Sequence, residues 1–139
     1  MDEELAEELI EIAKSENNQY QTVSGHTMCA MDFYEAQTRL DGAFCNFTLD
    51  QKMKRLEEIS KSGVVNIEME AITFASMCRR AGIPGAIVCV TLVNRLEGDQ
   101  VNTSKAYLEQ LQQRPQQLVL KFIKKRLQST NGVNGSAQH

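Results

Sequence analysis

Several kinds of residue and motif are scarce in this sequence, and each scarcity removes a class of function. Basic residues are not in excess: 15 Lys and Arg stand against 18 Asp and Glu, a formal net charge of -3. A general nucleic-acid binder needs a basic face, so no nucleic-acid partner is expected. No run of about 18 apolar residues exists, so no membrane span is expected either. The glycines (Gly25, Gly42, Gly63, Gly82, Gly85, Gly98, Gly132 and Gly135) never form G-x-G-x-x-G or G-x-x-x-x-G-K-[ST], and no phosphate-cradling loop is identified. Histidine is limited to His26 and His139, and Cys29, Cys45, Cys78 and Cys89 never stand in C-x-x-C spacing. No metal site is expected from that set. Cys78 and Cys89 lie in apolar runs and read as reduced core residues. His26 and Cys29, three apart on one strand, point to opposite faces and are discounted as a nucleophilic pair. The opening MDEELAEELIEIAK is acidic and helical in pattern, unlike a signal or transit peptide, which leaves the cytoplasm as the default compartment.

What remains is an ordinary globular composition. The chain has 139 residues and is 42% hydrophobic. That is room for one domain, able to bury roughly 68–70% of its unfolded surface. Acids crowd the start (Asp2, Glu3, Glu4, Glu7, Glu8, Glu11, Glu16), and Lys121, Lys124, Lys125 and Arg126 cluster late. Two solvated helix faces are the plain reading of that pattern.

The periodicity predicts a helix over 3–14 with Leu5, Leu9, Ile10, Ile12 and Ala13 on its apolar stripe, broken by residues 15–18. A strand follows over 20–30, then a structured loop over 31–47. Thr48 and Gln51 form a capping box for a helix that buries Met53, Leu56 and Ile59, stopped by Gly63. Val64, Val65 and Ile67 make a short strand. Ala71, Phe74, Ala75 and Cys78 continue as a buried helix ended by Gly82. The run 86–93, AIVCVTLV, has the continuous apolar character of a parallel strand buried on both faces. Thr103 or Ser104 caps a last helix, interrupted or restarted at Pro115 and carried to about Leu127. The order is α/β with crossovers. Residues 1–128 are expected to form the domain, and 129–139 a disordered tail.

Ligands of open α/β sheets bind outside the carboxyl ends of the strands. Three segments here end strands with polar residues: Phe33 to Arg39, Glu68-Met69-Glu70, and Asn94-Arg95. Gln37 and Arg39 suit an amide-like ring edge, and Phe33 can stack on a ring face. Glu68 and Glu70, two apart, can present both carboxylates on one face, suited to vicinal hydroxyls, with Met69 against an apolar sugar face. Each residue also has a plain reading. Gln37 and Arg39 serve equally as surface loop residues, and Glu70 equally as a cap on the following helix. From these features alone the plain reading is preferred for any single residue.

Together, GHTMCAMDFYEAQTRLDGAFC, NIEMEAITFASMCRRAGIPGAIVCVTLVNRLEGDQV and QQRPQQLVLKFIKKRL resemble the C-terminal half of the animal uridine phosphorylases, in the nucleoside phosphorylase superfamily. The resemblance covers about residues 20–127. It implies the C-terminal half of the nucleoside phosphorylase fold, a mixed sheet flanked by helices and incomplete here. It implies phosphorolysis of uridine to uracil and ribose 1-phosphate in pyrimidine salvage, with phosphate as co-substrate and no cofactor. By the same resemblance Phe33 stacks on uracil, and Gln37 and Arg39 bind its polar edge. Met69 and Glu70 hold the ribose with Glu68 in support. Arg95 closes the pocket, and Leu92 and Val93 line it. Val93-Asn94-Arg95 stands where purine-cleaving relatives carry an Asp, so a pyrimidine is favoured.

Members of that family are about twice as long, cytoplasmic and homodimeric. Their phosphate loop lies in the half that this chain does not match, and residues 1–19 offer no replacement. The chain alone is therefore expected to be inactive or nearly so, and poorly soluble through an exposed sheet edge. The alternative is a non-catalytic nucleoside-binding or subunit-pairing fragment.

Overall fold

A computed structural model describes residues 1–15 and 20–134, with side chains through Ser129. Helix α1 (Glu3–Ser15) begins where Asp2 Oδ1 accepts the Leu5 N–H at 2.8 Å, so a carboxylate meets the unsatisfied amides of the first turn. Of its expected stripe Leu9, Ile12 and Ala13 are buried, and Leu5 and Ile10 half-buried. Leu9, Ile12 and Ala13 pack on Leu118, with Ala86, Val88 and Phe122 around them. Leu118 belongs to α4 (Lys105–Asn134), the other wall of this small core. The charged faces of the two helices also meet: Arg126 donates twice to Glu8 Oε2, at 3.1 and 2.6 Å.

Helix α2 (Leu49–Lys61) carries the predicted capping box. Thr48 Oγ1 accepts from Gln51 N at 3.3 Å, and Gln51 Oε1 accepts from Thr48 N at 2.8 Å. The helix buries Leu56 and Ile59, with Met53 half-buried. Gly63 then adopts φ +89, a left-handed turn that releases the chain into β2 (Val64–Glu68). Strand β1 (His26–Cys29) runs parallel to β2, with Thr27 opposite Asn66, Met28 opposite Ile67 and Cys29 opposite Glu68. Gly82, at φ +65, ends α3 (Ala71–Ala81) as expected. The result is an α/β arrangement with an incomplete sheet: two strands and four helices among the described residues.

Several expectations fail for one shared reason. The strand foreseen over 20–30 is reduced to His26–Cys29. The 86–93 run joins no ladder, and Cys89, Thr91 and Leu92 are exposed, so Cys89 is not a core residue. Helix α3 buries no residue, although its periodicity is that of a core helix; Phe74 and Met77 are 47% and 64% exposed. A parallel strand and a core helix need neighbours on both faces, and a two-stranded sheet supplies too few of them. A cleft of about 1000 Å³ lies between α1, the strand pair and residues 86–91, lined by Val65, Ile72, Val88 and Val90 among others.

Two smaller differences concern α4. Pro115 sits inside one continuous helix rather than interrupting it. The helix continues to Asn134, beyond the expected end near Leu127, while residues 135–139 of the foreseen tail lie outside the described residues. All four cysteines are free thiols, as expected for Cys78 and Cys89, but Cys78 too falls short of a core position, being half-buried.

Candidate functional site

The parallel pairing sets both signature segments at the same end of the strand pair. Residues 31–39 leave the carboxyl end of β1, and Glu68 to Glu70 end β2. Ala30 N–H, donating to the Glu68 carbonyl at 2.8 Å, extends the pairing up to the branch point.

The first segment is folded by its own polar groups. Asp32 accepts the N–H groups of Tyr34 and Ala36 through its two carboxylate oxygens, at 2.7 and 3.0 Å. The Thr38 N–H donates to Glu35 O, and the Arg39 N–H to Tyr34 O. Thr38 is held at φ 54, among the described residues the one non-glycine in the left-handed region. That conformation is unfavourable for a β-branched residue and persists where the surroundings over-determine it. It separates Gln37 from Arg39 and turns both inward. They are 8% and 7% exposed, which rules out their reading as surface loop residues.

Burial obliges these polar groups to find partners. Arg39 Nε and Nη2 form a fork on Asp41, at 3.1 and 3.3 Å, and Nη2 also donates to the Asp99 carbonyl at 2.9 Å. The Arg39 guanidinium lies 4.3 Å from the Phe33 ring centroid, so one face of that ring is covered by a cation. Phe33 meets Tyr34 edge-on, with centroids 5.2 Å apart, and remains 48% exposed. Arg95 Nη2 donates to the Gln37 carbonyl at 2.7 Å, and Nη1 to Gln37 Oε1 at 3.4 Å. Gln37 thus accepts through its oxygen, which assigns donor character to the outer end of its amide. Arg39's hold on Asp41 keeps that carboxyl below its ordinary value.

Glu68, Met69 and Glu70 form a second group. Glu68 Oε2 accepts the N–H groups of Glu70 and Ala71, both at 2.7 Å, and so serves the amide-rich start of α3. The Ile72 N–H is taken by Cys29 Sγ at 3.4 Å. Glu70 occupies the N-cap position but makes no side-chain cap bond, so the alternative role considered for it falls to Glu68. Its carboxylate accepts the Met69 N–H at 3.3 Å, and both residues are exposed. Glu68 Oε1 is buried without a partner among the described residues. Leu92 is exposed and Val93 half-buried, on the stretch that leads into Arg95.

Two further site residues were not singled out from the sequence. Lys52 Nζ and Arg95 Nε both donate to Asp99 Oδ1, at 2.7 and 2.9 Å. Lys52 is 4% exposed, a buried lysine on the same stripe as Leu56 and Ile59. Its spacing to those residues was the available signal, as was the four-residue step from Arg95 to Asp99. Among the described residues no group of acidic, His or Cys side chains could hold a metal ion. Nor, among the described residues, is any helix long and apolar enough to cross a membrane.

Comparison with known proteins identifies the family. The chain is 50% identical to human uridine phosphorylase 2 and to mouse uridine phosphorylase 1, in each case over 127 residues, covering 91% of this chain and 40% of the relative. A solved uridine phosphorylase of Schistosoma mansoni, in complex with thymine, superposes with a TM-score of 0.87 at 38% identity, over 91% of this chain and 44% of that one. The chain therefore spans about 40% of the length of the curated relatives it matches. A family model for the phosphorylase superfamily matches residues 1–124, and with the fold in agreement, the chain belongs to that superfamily.

Proposed function

We propose that this chain carries the nucleoside-binding part of a uridine phosphorylase site. In this reading Phe33 stacks on uracil through its open ring face, and Gln37 and Arg39 donate to the polar edge of the base. Arg95 closes the pocket beside Leu92 and Val93. Met69 packs on the ribose, Glu70 accepts from its vicinal hydroxyls, and Glu68 supports Glu70 by fixing the start of α3. The burial of Gln37 and Arg39, locked together through Arg95 and Asp99, is the observation that carries this reading. The exposed Glu70 carboxylate, which makes no cap bond to α3, supports it.

The chemistry follows from the charges. Cleaving the glycosidic bond of uridine leaves positive charge on the sugar and negative charge on the departing uracil. Donors aimed at the base bind the developing anion better than the neutral ring, which lowers the barrier rather than merely holding substrate. Inorganic phosphate is both nucleophile and counter-charge, giving ribose 1-phosphate, so the reaction needs no cofactor and no covalent enzyme nucleophile. No residue of this chain is assigned to phosphate. The complete enzyme would be a homodimer acting in pyrimidine salvage in the cytoplasm.

Calorimetry with uracil and a phosphorolysis assay test the proposal together. The chain is expected to bind uracil and to release none from uridine and phosphate by itself. Rapid phosphate-dependent release by the chain alone would refute the division of the site. The open cleft and unpaired 86–93 run favour a second reading, a fragment that pairs with a longer subunit. Co-purification with a full-length uridine phosphorylase distinguishes it.

A further inference from the structure

The polar group around Gln37 has a hub, Asp99, to which the proposed function gives no role of its own. Asp99 follows a turn that holds itself: the N–H groups of Glu97 and Gly98 donate to the Asn94 carbonyl, and Asn94 Nδ2 donates to Glu97 Oε1. The turn delivers the Asp99 carboxylate into a nearly closed position, 11% exposed, between α2 and the 31–41 segment. There Oδ1 receives Lys52 Nζ and Arg95 Nε, while the main-chain carbonyl of the same residue receives Arg39 Nη2. One residue therefore touches all three cations of the group. Through Arg95 it reaches Gln37, whose carbonyl and amide oxygen are both bound by that guanidinium.

We infer that Asp99 is the positioning residue of the base-binding site, fixing Arg95 on Gln37 so that the Gln37 amide faces a pyrimidine with its donors. The inference rests on the proposed function for the identity of the base. Two features make this more than a structural ion pair. First, Arg95 is held at both ends, by Asp99 at Nε and by Gln37 at Nη1 and Nη2, so its plane is fully determined. Second, three cations (Lys52, Arg39, Arg95) face two carboxylates (Asp99, Asp41), leaving one net positive charge beside the position assigned to the departing base. Desolvation pushes the Asp99 carboxyl up, but the hydrogen bonds and positive charges of Lys52 and Arg95 together outweigh it and keep the group below its ordinary value. Asp99 is thus a permanent anion in neutral solution.

The test uses the full chain with Asp99→Asn, which keeps shape and removes charge. Removing one partner of a buried pair destabilises, so the double variant Asp99→Asn with Lys52→Met, which removes one charge of each sign, guards against loss of folding. Arginine side-chain NMR reads the Arg95 Nε–H directly and needs no ligand. Its exchange with water is expected to be slow in the unsubstituted chain and about tenfold or more faster in whichever variant is folded, whereas Asp41→Asn leaves it slow. Calorimetry is expected to show uracil Kd raised roughly tenfold in the same variants. An Arg95 Nε–H equally protected with and without Asp99, or unprotected in both, overturns the inference. So does unchanged uracil affinity in a variant whose Arg95 signal is released. If the unsubstituted chain binds no uracil, the proposed function fails, and the NMR result alone decides whether Asp99 holds Arg95.

Discussion

Replacing Arg39 by Met gives the sharpest test of the buried polar group. The substitution keeps an unbranched apolar stem and removes the guanidinium. The lost bond to the Asp99 carbonyl is buried at the arginine end, 2.9 Å long and charge-assisted. Such a bond contributes about 1.5–3 kcal/mol, part of which is the penalty for leaving the carbonyl without its donor. The lost contact with the Phe33 ring, 4.3 Å from the guanidinium and half exposed, adds about 0.5–1 kcal/mol. The Asp41 fork is left out of this reckoning, because that carboxylate is solvated and its bond is exchanged for water. Together the two terms predict a loss of about 2–4 kcal/mol in unfolding free energy. With no Trp in the sequence, urea unfolding is best followed by far-ultraviolet circular dichroism. Arg39→Lys keeps the charge without the planar fork and is expected to fall between the two. A loss below about 0.5 kcal/mol for Arg39→Met, near the level of an ordinary surface substitution, would refute the claim that burial makes these contacts count.

The two glutamates at the end of β2 should separate cleanly: Glu68→Gln is expected to weaken the start of α3 by about 0.5–2 kcal/mol in thermal unfolding. Glu70→Gln is expected to leave stability within about 0.5 kcal/mol and to weaken uridine binding while sparing uracil binding, read by calorimetry. Acid should expose the Asp99 bridge. Its carboxyl titrates lower in the folded chain than in the unfolded one, so the unfolded state takes up the proton first on acidification. The stabilisation is fully present above the ordinary carboxylate value near pH 4 and is lost as pH falls through the lowered one. Asp99→Asn should flatten that acid limb of a stability–pH profile. Gly63→Ala meets both a positive φ of +89 and the His26 ring, whose Cδ2 would lie 3.2 Å from the new Cβ; a loss of roughly 1 kcal/mol or more is expected in the same urea assay.

Much of the fold is legible in the sequence because its signals are local. Thr48 and Gln51 mark the start of α2 three residues apart, and Gly63 and Gly82 mark helix ends by a backbone angle that glycine alone adopts freely. The Leu9, Ile12 and Ala13 stripe needs only helical periodicity. The 86–93 run shows the limit of such reasoning. Its composition describes a strand between two neighbours, and composition cannot report that the neighbours are missing from the strand pair. The same limit explains the exposed apolar side chains of α3.

The candidate site divides along the same line. The residue types at 33–39, 68–70 and 95, and their order, are properties of the sequence; by themselves they are compatible with a base edge and a sugar, and it is the family resemblance that implies those roles. Only the tertiary structure decides that Gln37 and Arg39 are buried, that Glu68 rather than Glu70 meets the first turn of α3, and that Lys52 reaches Asp99 across 47 positions of chain. Capping, turning and helical periodicity act between residues a few positions apart, where the sequence itself sets the geometry. Burial and ion pairing act between segments, and their sign and strength depend on which surfaces packing brings together and on how much water it leaves between them.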